Sequence, residues 1–179
     1  GWYYLETVMD DFSRFILSWD VKTDMTGRSL EDVMQQAVDF TGMTDVPVED
    51  RTVLLSDNGA GYLSQQFNQY LHLVGIRHIT ASPFHPQTNG KIERYHRTLK
   101  GEINQVPYDV PGELKEAIRT FVEYYNYRRY HEGLGNVTPY DVYSGRHLEI
   151  IQKRKEVKNK TLAARRYYNR TAREQGQGL

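Results

Sequence analysis

Thr52-Val53-Leu54-Leu55-Ser56-Asp57-Asn58-Gly59 is a short apolar run that stops on an acid and a turn. Three aliphatic residues between polar ends fit a strand buried on both faces, and Asp-Asn-Gly is turn chemistry. The chain thus delivers a carboxylate to the C-terminal end of a strand, the edge at which open α/β sheets build their sites. The plainer reading of Asp57 is an Asx turn closed by its own side chain.

Working outward, residues 2–9 are aromatic and β-branched and predict a strand. Asp10-Asp11-Phe12-Ser13 predicts a turn, and Arg14 to Val21 a second strand, which makes a hairpin. After Gly27, apolar residues at Leu30, Val33, Met34, Ala37 and Val38 follow helical spacing. Beyond the 52–56 strand, Ser64 fits a helix N-cap and Gly75 a left-handed stop. A short strand over 76–80 follows, then a Pro- and Gly-containing loop over 82–90. Helices are expected from Lys91 to about Asn104, from Pro111 to about Arg129, and from Pro139 to Gly145 with Thr138 as cap. A hairpin followed by β-α alternation predicts a mixed sheet with helices on its faces.

The net charge of zero conceals an asymmetry. Residues 1–60 carry a net −8, residues 61–145 a net +1 and residues 146–179 a net +7. A polyanion such as DNA is drawn to the tail and repelled by the front; the plainer reading of the tail is a solvated basic helix. With no cysteine, disulfides and thiolate metal sites are excluded, and a reducing compartment is expected. No stretch approaches the roughly 18 uninterrupted apolar residues of a membrane span, so a soluble protein with no membrane partner is expected.

Glu93 is the second carboxylate of interest, 36 positions after Asp57 and in the first turn of a predicted helix. Carboxylates are the hard oxygen ligands that Mg²⁺ or Mn²⁺ prefers, one or two per ion. Arg97 and Lys100, four and seven residues on, share its face, with Lys91 and Arg94 nearby. Cations beside a metal-binding carboxylate suit a groove that holds phosphates. The plainer reading is a surface Glu93–Arg97 pair and an acid favoured at a helix N-terminus.

Ser82-Pro83-Phe84-His85-Pro86-Gln87-Thr88-Asn89-Gly90-Lys91-Ile92-Glu93-Arg94 closely resembles the glutamate motif of the integrase catalytic core shared by retroviral integrases and bacterial insertion-sequence transposases, the DDE type. Ser56-Asp57-Asn58-Gly59 resembles that family's second-aspartate motif, with the usual spacing. Asp10-Asp11-Phe12-Ser13-Arg14 resembles its second-to-third-strand hairpin. Tyr124-Tyr125-Asn126, Arg128, His131, Leu134 and Thr138-Pro139 resemble the C-terminal segment of bacterial members. The resemblance covers residues 1–145, read as the core, and leaves 146–179 as a basic helical extension.

It implies a ribonuclease-H-like mixed sheet flanked by helices, and a polynucleotidyl transferase that cuts and joins DNA with Mg²⁺ or Mn²⁺. Asp57 and Glu93 would be the second and third metal-binding catalytic carboxylates. Lys91, Arg94, Arg97 and Lys100 would contact DNA, as would His85, Gln87 and Asn89 from the loop. The implied partners are element ends, target DNA and further copies of the chain, in the bacterial cytoplasm at the nucleoid. The family's first aspartate lies on a strand upstream of the hairpin and has no counterpart here. Asp10 and Asp11 align with the hairpin turn, with Arg14 as an ion-pair partner. The chain is therefore expected to be part of a longer transposase, first strand missing, inactive alone and with one hairpin edge lacking a neighbour. The competing expectation is a non-catalytic DNA-binding or assembly remnant. A nuclease for RNA–DNA hybrids is disfavoured, because the loop and C-terminal motifs are transposase-like.

Overall fold

In the computed structural model, which describes residues 2–81, 90–105 and 107–176, the expected hairpin is present. Strand β1 (Tyr4–Met9) pairs antiparallel with β2 (Ile16–Lys22), Tyr4 opposite Lys22 and Thr7 opposite Trp19. Asp10 closes the turn: its carboxylate accepts from the Ser13 backbone N–H at 2.8 Å and from the Ser13 hydroxyl. Arg14 leaves the turn with a left-handed φ of 64°. It forms no ion pair with Asp10 or Asp11, contrary to expectation. Asp11 pairs instead with Lys91 at 2.7 Å, because the hairpin turn lies against the start of a later helix.

Thr26 caps α1 (Gly27–Thr41) by accepting from the Ser29 N–H. The helix buries Leu30, Val33, Met34, Ala37 and Val38 and stops at Gly42, whose φ is 62°. Two 3₁₀ turns (Met43–Asp45 and Val48–Asp50) follow. Arg51 holds them by donating to the carbonyls of Val46, Thr44 and Val74. Then come β3 (Val53–Ser56), a short α2 (Ala60–Leu63) that residue patterning did not reveal, α3 (Gln65–Leu73) capped by Ser64, and β4 (Arg77–Thr80). Strands β3 and β4 pair in parallel, Leu54 opposite His78.

Helices α4 (Gly90–Ile103), α5 (Pro111–Tyr127), α6 (Pro139–Tyr143) and α7 (His147–Gly176) complete the fold. Thr138 and Asp141 cap α6 reciprocally in a capping box. One apolar cluster joins Ile16 of the hairpin to Tyr95 and Leu99 of α4 and to Ile118, Phe121, Val122 and Tyr125 of α5. A second joins Leu30, Met34 and Val38 of α1 to Phe67, Tyr70 and Leu71 of α3, with Val8 and Leu54 against it. The hairpin is thus covered by α1 on one face and by α4 and α5 on the other.

The sheet is divided. Among the described residues β1 pairs only with β2, and β3 only with β4. Both ladders lie under the α1–α3 layer, yet no backbone ladder joins them. The second ladder has one uncovered face: Leu55 is 39% exposed and Ile79 53%. This corrects the reading of 52–56 as a strand buried on both faces, since only the Leu54 side meets a helix. The C-terminal motif residues serve packing. Asn126 is buried and bonds both backbone groups of Ile16, while Tyr125 lies 4.8 Å from the His131 ring. Burial, then the charges of Arg129 and Arg14, lower the His131 pKa to about 4, so its ring is neutral.

Candidate metal and nucleic-acid site

Asp57 leaves the C-terminal end of β3 on an exposed turn. Its Oδ1 accepts from the Gly59 N–H at 2.8 Å, so the Asx turn is formed, and the Asn58 amide pins the turn to the Ala81 carbonyl at 2.9 Å. Among the described residues Asp57 forms no ion pair, which leaves its other oxygen open to a cation.

The floor beneath this turn consists of residues that sequence reasoning passed over. The Asn68 amide donates to the carbonyls of Tyr62 and Ser64, which turns its Oδ1 toward His78 Nδ1 at 3.1 Å. His78 Nδ1 therefore carries a proton, and its Nε2 faces the Ser56 hydroxyl at 2.8 Å. Burial lowers the His78 pKa, and the Ser56 hydroxyl beside Nε2 donates to the Asp57 carbonyl at 2.7 Å. Tyr62 stands beside them, its hydroxyl pushed up to about 12 by burial and then by the negative charges of Asp57 and Glu6. Ser56 entered only as part of the Asp57 motif, and a strand-end histidine has no distinctive spacing, so nothing in the sequence marked His78 as its partner.

Glu6 was also missed, because it sits in a run that reads as an ordinary apolar strand. It is only 3% exposed. Ser29 of α1 donates to its Oε1 at 2.6 Å, and its Oε2 is buried without a partner among the described residues. Burial, outweighing the Ser29 bond and Lys22, raises its pKa.

Glu93 lies in the first turn of α4, exposed. The helix buries Tyr95 and Leu99 and carries Glu93, Arg97 and Lys100 along its outer side. Glu93 and Arg97 do not form the surface ion pair of the plainer reading, and Arg94 and Lys100 are likewise outside the ion pairs of the described residues. Lys91 is engaged, with its ammonium on the carboxylate and the backbone carbonyl of Asp11. His96 reaches across to the Thr7 hydroxyl at 3.3 Å and anchors α4 on β1; burial, then the Lys100 charge, lowers its pKa.

No hydrogen bond or ion pair links Asp57 to Glu93, and the described residues include no group of three or more His, Asp or Glu that could hold a metal ion. His85, Gln87 and Asn89 lie outside the described residues.

Two models described as integrase core domain match this chain, one over residues 1–86 and the other over 74–139. The matches overlap over residues 74–86 and together take in Asp57 and Glu93. The chain belongs to the integrase core family. It is 29% identical over 143 residues to the transposase of insertion sequence element IS904 from Lactococcus lactis, covering 79% of this chain and 54% of that protein. It is 31% identical over 103 residues to the Gag-Pro-Pol polyprotein of squirrel monkey retrovirus, covering 58% of this chain and 5% of the polyprotein. The chain thus spans about half the length of the transposase and a small part of the polyprotein. The HTLV-2 integrase catalytic core, solved in complex with magnesium, superposes with a TM-score of 0.59 at 24% identity over 78% of this chain and 83% of that one. The BIV integrase core gives 0.56 at 19% identity over 83% and 97%. These likenesses establish the ribonuclease-H-like fold of the integrase core. No helix among the described residues is long and apolar enough to cross a membrane.

Proposed function

We propose that this integrase core belongs to a DNA transposase that hydrolyses phosphodiesters at an element's ends and joins the freed 3′-hydroxyls to target DNA. The observation that carries the reading is the pair of integrase-core matches, which together run over residues 1–139 and include both Asp57 and Glu93. The donor set fits a hard divalent cation: two exposed carboxylates, neither tied up in an ion pair among the described residues. Mg²⁺ or Mn²⁺ bound there would activate the attacking oxygen and stabilise the leaving one.

The chain's own residues do the positioning. The Asx turn and the Asn58 bond fix the direction of Asp57. Arg94, Arg97 and Lys100 present cations to phosphates beside Glu93, while His85, Gln87 and Asn89 meet the DNA end. Lys91 serves DNA only on releasing Asp11. The edges of β1 and β3 left open among the described residues support a further strand between them, carrying the first aspartate of the motif; on this reading residues 1–179 alone are inactive. The solved HTLV-2 cores in dimeric and trimeric forms and a simian T-cell lymphotropic virus intasome support a multimer acting on DNA, and the Lactococcus lactis transposase supports a bacterial cytoplasmic setting at the nucleoid.

The absence of a three-carboxylate cluster among the described residues favours a second reading, a non-catalytic DNA-binding or assembly remnant. Strand transfer decides between them. In a chain extended by its native upstream sequence, the first reading predicts Mg²⁺- or Mn²⁺-dependent joining of a labelled end. Asp57→Asn and Glu93→Gln should each lower that joining by on the order of 10³-fold. No joining by the extended chain with either metal, or full joining by either variant, overturns the catalytic reading.

A further inference from the structure

Among the described residues, helix α7 meets the rest of the molecule through its first two turns only. Ile151 packs against Gly135, and Arg154 donates to the Asn136 carbonyl at 2.6 Å with its guanidinium over the Tyr130 ring. From residue 151 to residue 170 every position is exposed. A predominantly polar helix of this length without a partner is marginal in water.

Its charge is arranged on one side. Arg154, Lys155, Lys158, Arg165, Arg166, Arg170 and Arg173 fall within about 160° of the helix circumference at ~100° per residue, along ~28 Å of axis. Among the described residues Lys155, Lys158, Arg165 and Arg166 have no ion-pair partner, whereas Lys153 is paired with Glu149 at 2.6 Å. Like charges one turn apart destabilise a helix, and a polyanion removes that penalty.

Resting on the reading that this chain acts on DNA, we propose that α7 is a sequence-independent grip on duplex DNA, with the phosphates against the basic side of the helix. Duplex DNA offers a negative charge every ~1.7 Å of its axis, and a helix ~10–12 Å across fits the ~12 Å major groove. A second copy of the chain fits this helix poorly. The apolar line Ile150, Val157, Ala164, Tyr168 is about 40° wide, against the ~100° of a core-facing stripe. It is bordered by Arg154 and Arg165 on one side and Lys153 and Lys160 on the other, so paired copies would bring cations together.

The test is binding of the whole chain to a 30-base-pair duplex of arbitrary sequence, in EDTA, between 50 and 200 mM KCl. In the combined variant Lys155→Gln, Lys158→Gln, Arg165→Gln, Arg166→Gln, the slope of log affinity against log salt should flatten by about 3–4, and affinity at 0.1 M should drop on the order of 10²–10³-fold. Tyr168→Ala should leave both unchanged. Removing charge relieves repulsion, so circular dichroism should show the helix retained. An unchanged slope in the charge variant overturns the proposal. So does loss of binding and of oligomer mass in Tyr168→Ala, which assigns the face to a second copy, and so does single-stranded RNA out-competing the duplex. Because EDTA removes catalysis from the measurement, failure of strand transfer with an intact salt slope sinks the catalytic reading alone, and a flat slope beside active strand transfer sinks this one alone.

Discussion

Asp57 and Glu6 show how differently two carboxylates behave in one small region. Asp57 is exposed and held by a single backbone N–H, so it remains open to an ion. Glu6 is enclosed, bonded through one oxygen to Ser29 and, among the described residues, orphaned at the other. Burial makes its charged form unfavourable, and its folded pKa lies above the ordinary 4.5. The stabilisation that follows is fully present below the unfolded pKa and is lost as pH rises through the folded one. Glu6→Gln keeps an acceptor for Ser29 and removes the buried charge. It should match the parent near pH 4 and exceed it at pH 7 by about 1 kcal/mol, read as roughly 2–4 °C in Tm for a chain of this size. Thermal unfolding of both proteins across that range checks this; a constant difference between them would rule it out.

At the scale of elements, the outer edge of β2 is managed by a side chain. The Asn126 Oδ1 accepts from the Ile16 N–H at 2.9 Å, and its Nδ2 donates to the Ile16 carbonyl at 3.0 Å, so one amide from α5 stands in for a neighbouring strand. The site is buried, with Asn126 only 3% exposed. Asn126→Ala leaves two backbone groups unpaired and should cost about 2–4 kcal/mol, seen as a lower urea midpoint. Asn126→Asp restores the acceptor alone and should fall no closer to the parent than Asn126→Ala does. Most helical elements were legible because their signals are local: Ser64 and Thr138 each cap within three residues, and Gly75 and Gly145 each take a positive φ, whereas α2 has no such signal. The roles of Asn126 and of Arg14 were not legible, since each depends on a contact far along the chain.

Across the whole molecule, the two ladders differ in protection. The hairpin is covered on both faces, whereas β3–β4 is a pair of four-residue strands with Leu55 and Ile79 facing solvent. A two-stranded sheet with an open face is marginal. Native-state hydrogen exchange should therefore show the amides of β3–β4 opening at a lower free energy than those of β1–β2 and α5, by roughly 2 kcal/mol or more. Equal protection would mean that something covers Leu55 and Ile79.

The chain alone determined its family, the order of its elements apart from α2 and the two carboxylates at their ends. Those rest on caps, turns, apolar spacing and motif order, all of which act over a few residues or survive as a linear pattern. Only the tertiary structure decided that the sheet divides between β1 and β3, that Lys91 holds Asp11 while Arg14 holds neither acid, and that Glu6 is enclosed. Each of these depends on which distant surfaces meet, because burial and pairing are properties of packed elements and leave no periodic trace in the sequence.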